Sequence, residues 1–325
     1  MALWAVLAMG LALAACPAEA APFLYVANTT SNNVSVIDTA TNTLVTTISV
    51  GTAPEWLAVT PDGTHVYVTN LESASVSVIK TATNTVVATI PVGTFPIGVA
   101  VTPDGTKVYV ANNGSNNVSV IHRPGNTVVK TIKVGTNPVG VAITPDGTLV
   151  YVVNINSNNV SVIARPGNTV VKTIQVGMNP NWVAVAPNGK HAYVSNSISN
   201  TVSVIKTATN TVVGLPISPV GTYPYWIAFT PDGTHAYVAT AGSDVDSGSN
   251  NPNGTVSVIA AATKTVSATV PLGTPPRGVV VSPDGERVYV ARFYSNKVSV
   301  IATATNTVMA NIPVGTGPVG VAIGQ

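Results

Sequence analysis

Apolar and polar positions alternate over runs of five to seven residues, and turn formers end each run. One stretch reads IGVAV over 97–101, KVYVAN over 107–112, NVSVI over 117–121 and VVKTIKV over 128–134. TPDGT separates the first two runs, and RPGNT or TATNT separates the last two in successive copies. A period of two built from Val, Ile, Thr and Tyr predicts short β-strands, because successive side chains of a strand point to opposite faces. The Pro of TPDGT presets one turn angle and its Gly tolerates the last turn position, so each interruption predicts a tight turn.

The four-strand unit recurs. Tyr-Val marks it at Tyr25, Tyr67, Tyr109, Tyr151, Tyr193, Tyr237 and Tyr289, at intervals of 42 residues four times and then of 44 and 52. Seven such units of strand and turn predict an all-β, seven-bladed β-propeller, four antiparallel strands per blade, as a single domain over residues 22–325. The fourth strand of each unit belongs at the rim. It carries Pro91, Pro216, Pro219, Pro271 and Pro313 with Lys130, Lys133 and Lys172, and Pro and Lys suit an edge that must not pair further. The first strand, rich in Gly, Val and Ala, then lies innermost. Beyond residue 22 the chain opens on a second strand, and GPVGVAIGQ at its end is a lone first strand. One C-terminal strand plus three N-terminal strands should therefore complete the seventh blade and close the ring.

The marker reads YVTN at 67–70 and YVAN at 25–28 and 109–112, with TPDGT before it and TNTVVATIPVG after it. These motifs resemble the YVTN-family β-propeller repeat over essentially residues 23–325. That family includes exported bacterial proteins of the YncE-like kind and modules of archaeal surface-layer proteins, so the resemblance implies an extracytoplasmic place: periplasm, medium or cell surface. It implies no single activity, because one propeller scaffold hosts many.

Composition narrows the partners. Only 8% of the 325 residues are charged and the formal net charge is +2. No basic run is present that could follow a phosphate backbone, so nucleic acid is not expected as a partner. Residues 1–21, MALWAVLAMGLALAACPAEAA, are apolar and end in small residues. They are too short and wrongly flanked for a spanning helix and predict an export signal, although no Lys or Arg precedes the apolar run. Cys16 closes LAAC, which resembles a lipoprotein lipobox, and lipidation there is the one membrane attachment the sequence offers. A cut after Ala18-Glu19-Ala20 would discard the cysteine instead. Either maturation leaves no disulfide within the chain.

Catalytic groups are scarce. His65, His191 and His235 share one repeat position, two residues before the Tyr, so they should be spread around one face; His122 stands alone. Asp62, Asp104, Asp146, Asp232 and Asp284 are the turn residue of PDG, with Asn188 in their place once, and the local turn accounts for each. No Ser-His-Asp set, Cys-His set or phosphate-cradling Gly loop emerges, and no cofactor is expected. GSDVDSGSNNPNG lengthens one loop and sets Asp244, Asp246 and Asn250 at spacings that suit Ca²⁺, yet it lacks the bidentate Glu and the position order of an EF-hand, so a polar loop is the better reading.

Departures between near-copies are the more informative signal. After the Pro that opens each first strand the units read PEW, PIG, PVG, PNW, PYW, PRG and PVG. Trp56, Trp182 and Trp226 thus stand where Gly98, Gly140, Gly278 and Gly320 stand elsewhere. Around them fall Glu55, Asn181, Tyr223, Tyr225 and Arg277, and the loop between second and third strands adds Arg292, Phe293 and Tyr294. Strand alternation puts both kinds of variable loop on one face. Aromatic platforms with a few polar groups at a concave mouth suit a small molecule, glycan or peptide; a Trp there also suits a wedge between blades or a channel plug. Three functions follow: a non-enzymatic binding scaffold using this face, a structural or surface-layer-type protein, or a lactonase- or lyase-like enzyme built on Glu55, Arg277 and Asp244 or Asp246.

Overall fold

The structure, a computed structural model, describes residues 22–242 and 253–324. Within them lie seven four-stranded antiparallel sheets arranged as propeller blades. Blade one is Pro54–Val59, His65–Asn70, Ser75–Lys80 and Thr85–Pro91, in that spatial order. Blades two to six repeat it, with inner strands Pro96–Val101, Pro138–Ile143, Pro180–Val185, Pro224–Phe229 and Pro276–Val281. Blade seven pairs Pro318–Ile323 with Phe23–Asn28, followed by Asn33–Asp38 and Thr43–Ser49. The ring is closed by one C-terminal and three N-terminal strands, which leaves no open sheet edge between blades.

The conserved letters of the repeat each have a physical task. The marker tyrosines are almost wholly buried, and four of their hydroxyls bond to an asparagine of the next blade. Tyr67 donates to Asn126 Oδ1 at 2.6 Å, Tyr151 to Asn210 at 2.5 Å and Tyr237 to Asn306 at 2.9 Å, while Tyr109 bonds Asn168 likewise. Those asparagines occupy the left-handed region, φ 48 to 53, which Asn tolerates better than other residues with a side chain. The marker's last Asn is buried inside its own blade. Asn70 Nδ2 donates to Ser77 Oγ at 2.9 Å and Asn112 to Ser119 at 2.9 Å. In the turns, Asp62 accepts from the hydroxyls of Thr60 and Thr64 and from the Thr64 N–H. These bonds hold its carboxyl well below the usual range.

The rim of blade four differs from expectation. Its outer strand is only Thr211–Val212, and Pro216 and Pro219 fall beyond it rather than within it. Gly214 turns the chain at φ 71, and a Pro has no N–H for the ladder. One bridge, Val202 to Ile217, holds the returning segment.

Candidate functional site

The loop entering each inner strand begins with a buried Pro, and the residue two places later points into the centre of the ring. At that level Trp56, Trp182 and Trp226 meet. Their ring centroids lie 4.2 Å apart for Trp56 and Trp182, 5.7 Å for Trp56 and Trp226, and 5.8 Å for Trp182 and Trp226. Exposures of 9%, 5% and 5% show three indoles packed on one another, not an open platform.

Glycine at the four other positions makes room for this packing. A Cβ on Gly140 would sit 3.2 Å from Trp182 Cε3, and one on Gly278 3.0 Å from Trp56 Cζ3. On Gly98 it would meet the Val139 carbonyl at 2.2 Å, so neighbouring inner strands approach too closely there for any other residue. Three large rings and four absent side chains fill one channel.

Two hydroxyls secure the arrangement, and sequence reasoning passed over them. Thr69 accepts the backbone N–H of Trp56 at 3.0 Å and donates to the Ile97 carbonyl of the next blade at 2.6 Å. Ser195 accepts the backbone N–H of Trp182 at 3.1 Å and donates to the Tyr225 carbonyl. A signal was present: among the seven markers only these two, YVTN and YVSN, carry a hydroxyl between Val and Asn, and both accompany a Trp. Trp226 is seated differently, and its indole Nε1 is buried without a hydrogen-bond partner.

The preceding residue of each inner strand builds the next layer. The Arg277 guanidinium carbon lies 4.9 Å from the Tyr225 ring centroid and 5.6 Å from that of Phe293, within cation–π range of both. Tyr225 packs on Trp226 at 5.5 Å, and Phe293 meets Tyr294 edge-on at 5.0 Å. Glu55 faces the same group. Burial pushes its carboxyl up to about 7, although the Arg277 charge and the Thr29 hydroxyl draw it down. Asn181 is buried beside Trp182.

Of the residues marked in the sequence, Glu55, Trp56, Asn181, Trp182, Tyr225, Trp226, Arg277, Phe293 and Tyr294 are therefore assembled at or above the channel. Arg292 is not. It replaces the marker's final Asn and turns into its own blade, donating to Thr274 Oγ1 at 2.9 Å and Asn311 Oδ1 at 3.2 Å. Asp244, Asp246 and Asn250, and likewise Cys16, lie outside the described residues. Among the described residues no group of three or more His, Cys, Asp or Glu side chains is placed to hold a metal ion, and no helix is long and apolar enough to cross a membrane.

Residues 70–217 match the family model described as Choice-of-anchor I domain. Among curated proteins none matches the chain. Several solved structures are similar. Hydrazine synthase of Kuenenia stuttgartiensis is 25% identical with a TM-score of 0.74, covering 82% of this chain and 88% of that one. A protein of unknown function from Desulfotomaculum acetoxidans is 20% identical with a TM-score of 0.80, covering 93% and 99%. A candidate 6-phosphogluconolactonase from Bacteroides uniformis is 19% identical with a TM-score of 0.76, again covering 93% and 99%. These likenesses and the seven four-stranded sheets together mark the chain as a β-propeller repeat protein.

Proposed function

We propose that this protein is an extracytoplasmic, non-enzymatic β-propeller binding module of the YVTN, YncE-like kind. Its ligand, a small molecule, a glycan or a segment of another protein, docks on the face bearing Glu55, Tyr225, Arg277 and Phe293. The observation that carries the reading is the Arg277 guanidinium lying over two aromatic rings and facing the withdrawn carboxyl of Glu55, directly above a sealed channel. A plugged ring is no conduit, so this layer is where the face can meet a ligand. One cation, one carboxyl and several ring faces there can read a polar ligand with flat apolar surfaces.

The name of the model matched by residues 70–217 supports a place at the cell surface, and the apolar composition of residues 1–21 suits export. The test is a binding panel of oligosaccharides, lactones and peptides against the intact chain, Arg277→Ala and Glu55→Gln. We expect saturable binding of one class that weakens about tenfold or more in Arg277→Ala, the scale of a lost charge-assisted contact. Equal binding by all three proteins would place the ligand elsewhere. Concentration-dependent self-association with no ligand bound would favour the structural, surface-layer-type role.

A further inference from the structure

The opposite face is made of the turns between first and second strands and between third and outer strands. Four of its junctions, those after blades one, two, three and five, share one plan, with an Asp in the earlier blade's turn and a left-handed Asn in the later blade's turn accepting the Tyr hydroxyl. The junction of blades four and five breaks that plan at every position. Ala186 replaces Thr, Asn188 replaces Asp, Lys190 replaces Thr, and Lys264, at φ 58, replaces the Asn. Tyr193 therefore has no asparagine to bond. A cleft of about 530 Å³ opens there, lined by Lys190, His191, Tyr193, Phe229 and Lys264 among others, with no carboxylate in its wall.

The charges gather on one side of the molecule. Lys206 pairs opposite His191 in the strand register. Burial, then Lys264, Lys206 and Lys190, hold His191 below its ordinary pKa, with no acid acting on it. At the same repeat position in blade one, His65 has Asp62 beside it. The two ion pairs among the described residues, Arg123 with Asp62 and Arg165 with Asp104, belong to other junctions. Two acids stand close by and both are already engaged by hydroxyls: Asp232, next to the lining Gly233, by Thr230 and Thr234, and Asp146, in the neighbouring cleft of blades three and four, by Thr144 and Thr148. An edge-on pair of rings, Tyr193 and Phe229 at 4.9 Å, forms the apolar part of the blade four–five cleft.

We infer that this cleft is an anion-binding site, separate from the mouth, for a phosphate or sulfate monoester whose oxyanion sits between Lys190, His191 and Lys264 and whose organic part rests against Phe229. Two lysine ammonium groups and an imidazole that can donate its N–H, with no carboxylate in the wall, favour a doubly charged oxyanion. The volume admits a small organic group beside it. The ligand's charge also explains why four positions changed together, since the Asp and the Asn of the ordinary plan would respectively repel an anion and fill its place.

The other junctions supply the control. Lys264→Asn and Lys190→Thr restore what most other blades carry, so the double variant retains the propeller. Phenyl phosphate, phenyl sulfate and inorganic phosphate are titrated calorimetrically into the wild-type chain and the double variant at low and high salt. We expect a saturable heat with phenyl phosphate or phenyl sulfate, weaker binding of inorganic phosphate, and about a tenfold or greater loss both in the double variant and at high salt. No heat with any probe, or equal affinity of both proteins, overturns the assignment.

Discussion

At the scale of single residues, size and charge are distributed unequally over seven equivalent positions. The exchange of Trp for Gly at one place in the inner strand is legible in the sequence. That the three rings meet is not, because convergence depends on the ring radius, which no single repeat encodes. The sequence equally cannot show that Arg292 turns away, since the choice depends on Thr274 and Asn311, two neighbours far along the chain. Glu55 gives a residue-scale prediction. Its folded pKa is raised from 4.5 to about 7, so the folded chain keeps a proton that the unfolded chain releases. The Glu55 contribution to stability is then fully present below about pH 4.5 and is lost as pH rises through 7. Glu55→Gln should remove that slope, adding about 1–2 kcal/mol at pH 8 and nearly nothing at pH 4 in denaturant titrations. A slope that persists in the variant would mean that another group titrates.

At the scale of the strand and its turns, the Tyr-to-Asn bond explains why both letters recur 59 residues apart, from Tyr67 to Asn126, from Tyr109 to Asn168 and from Tyr151 to Asn210. The pair lies in different blades, so no pattern within one unit reveals it. Its contribution can be isolated within one molecule. Tyr67→Phe removes a bonded hydroxyl and should lower stability by about 1 kcal/mol, more if the stranded Asn126 carbonyl stays buried. Tyr193→Phe, which faces Lys264 instead of Asn, should cost clearly less. Equal losses at the two positions would show that the bond adds nothing. The short outer strand of blade four was misjudged for a related reason. Its prolines do mark an edge, but Gly214 and two prolines in six residues end the strand rather than border it.

At the scale of the whole molecule, seven blades and their closure were legible because the repeat is close and its two incomplete ends are complementary. Removing residues 318–325 should therefore act far beyond eight residues. It strips the inner strand from blade seven, uncovers Leu24 and Val26, and leaves Trp56 without its neighbour Gly320. A lowered, broadened melting transition with aggregation is expected, and an unchanged melting curve would contradict ring closure as a source of stability. Indoles seal the ring, and the proposed ligand sits on the layer above them. Intrinsic fluorescence of the Trp4→Phe chain tests both most directly, since Trp56, Trp182 and Trp226 are then all the indoles present. Sealed indoles give blue emission that iodide barely quenches, and a saturable change is expected on adding the bound class of ligand that Arg277→Ala abolishes. Red, readily quenched emission would contradict the sealed channel, and a ligand response unaffected by Arg277→Ala would contradict the site above it.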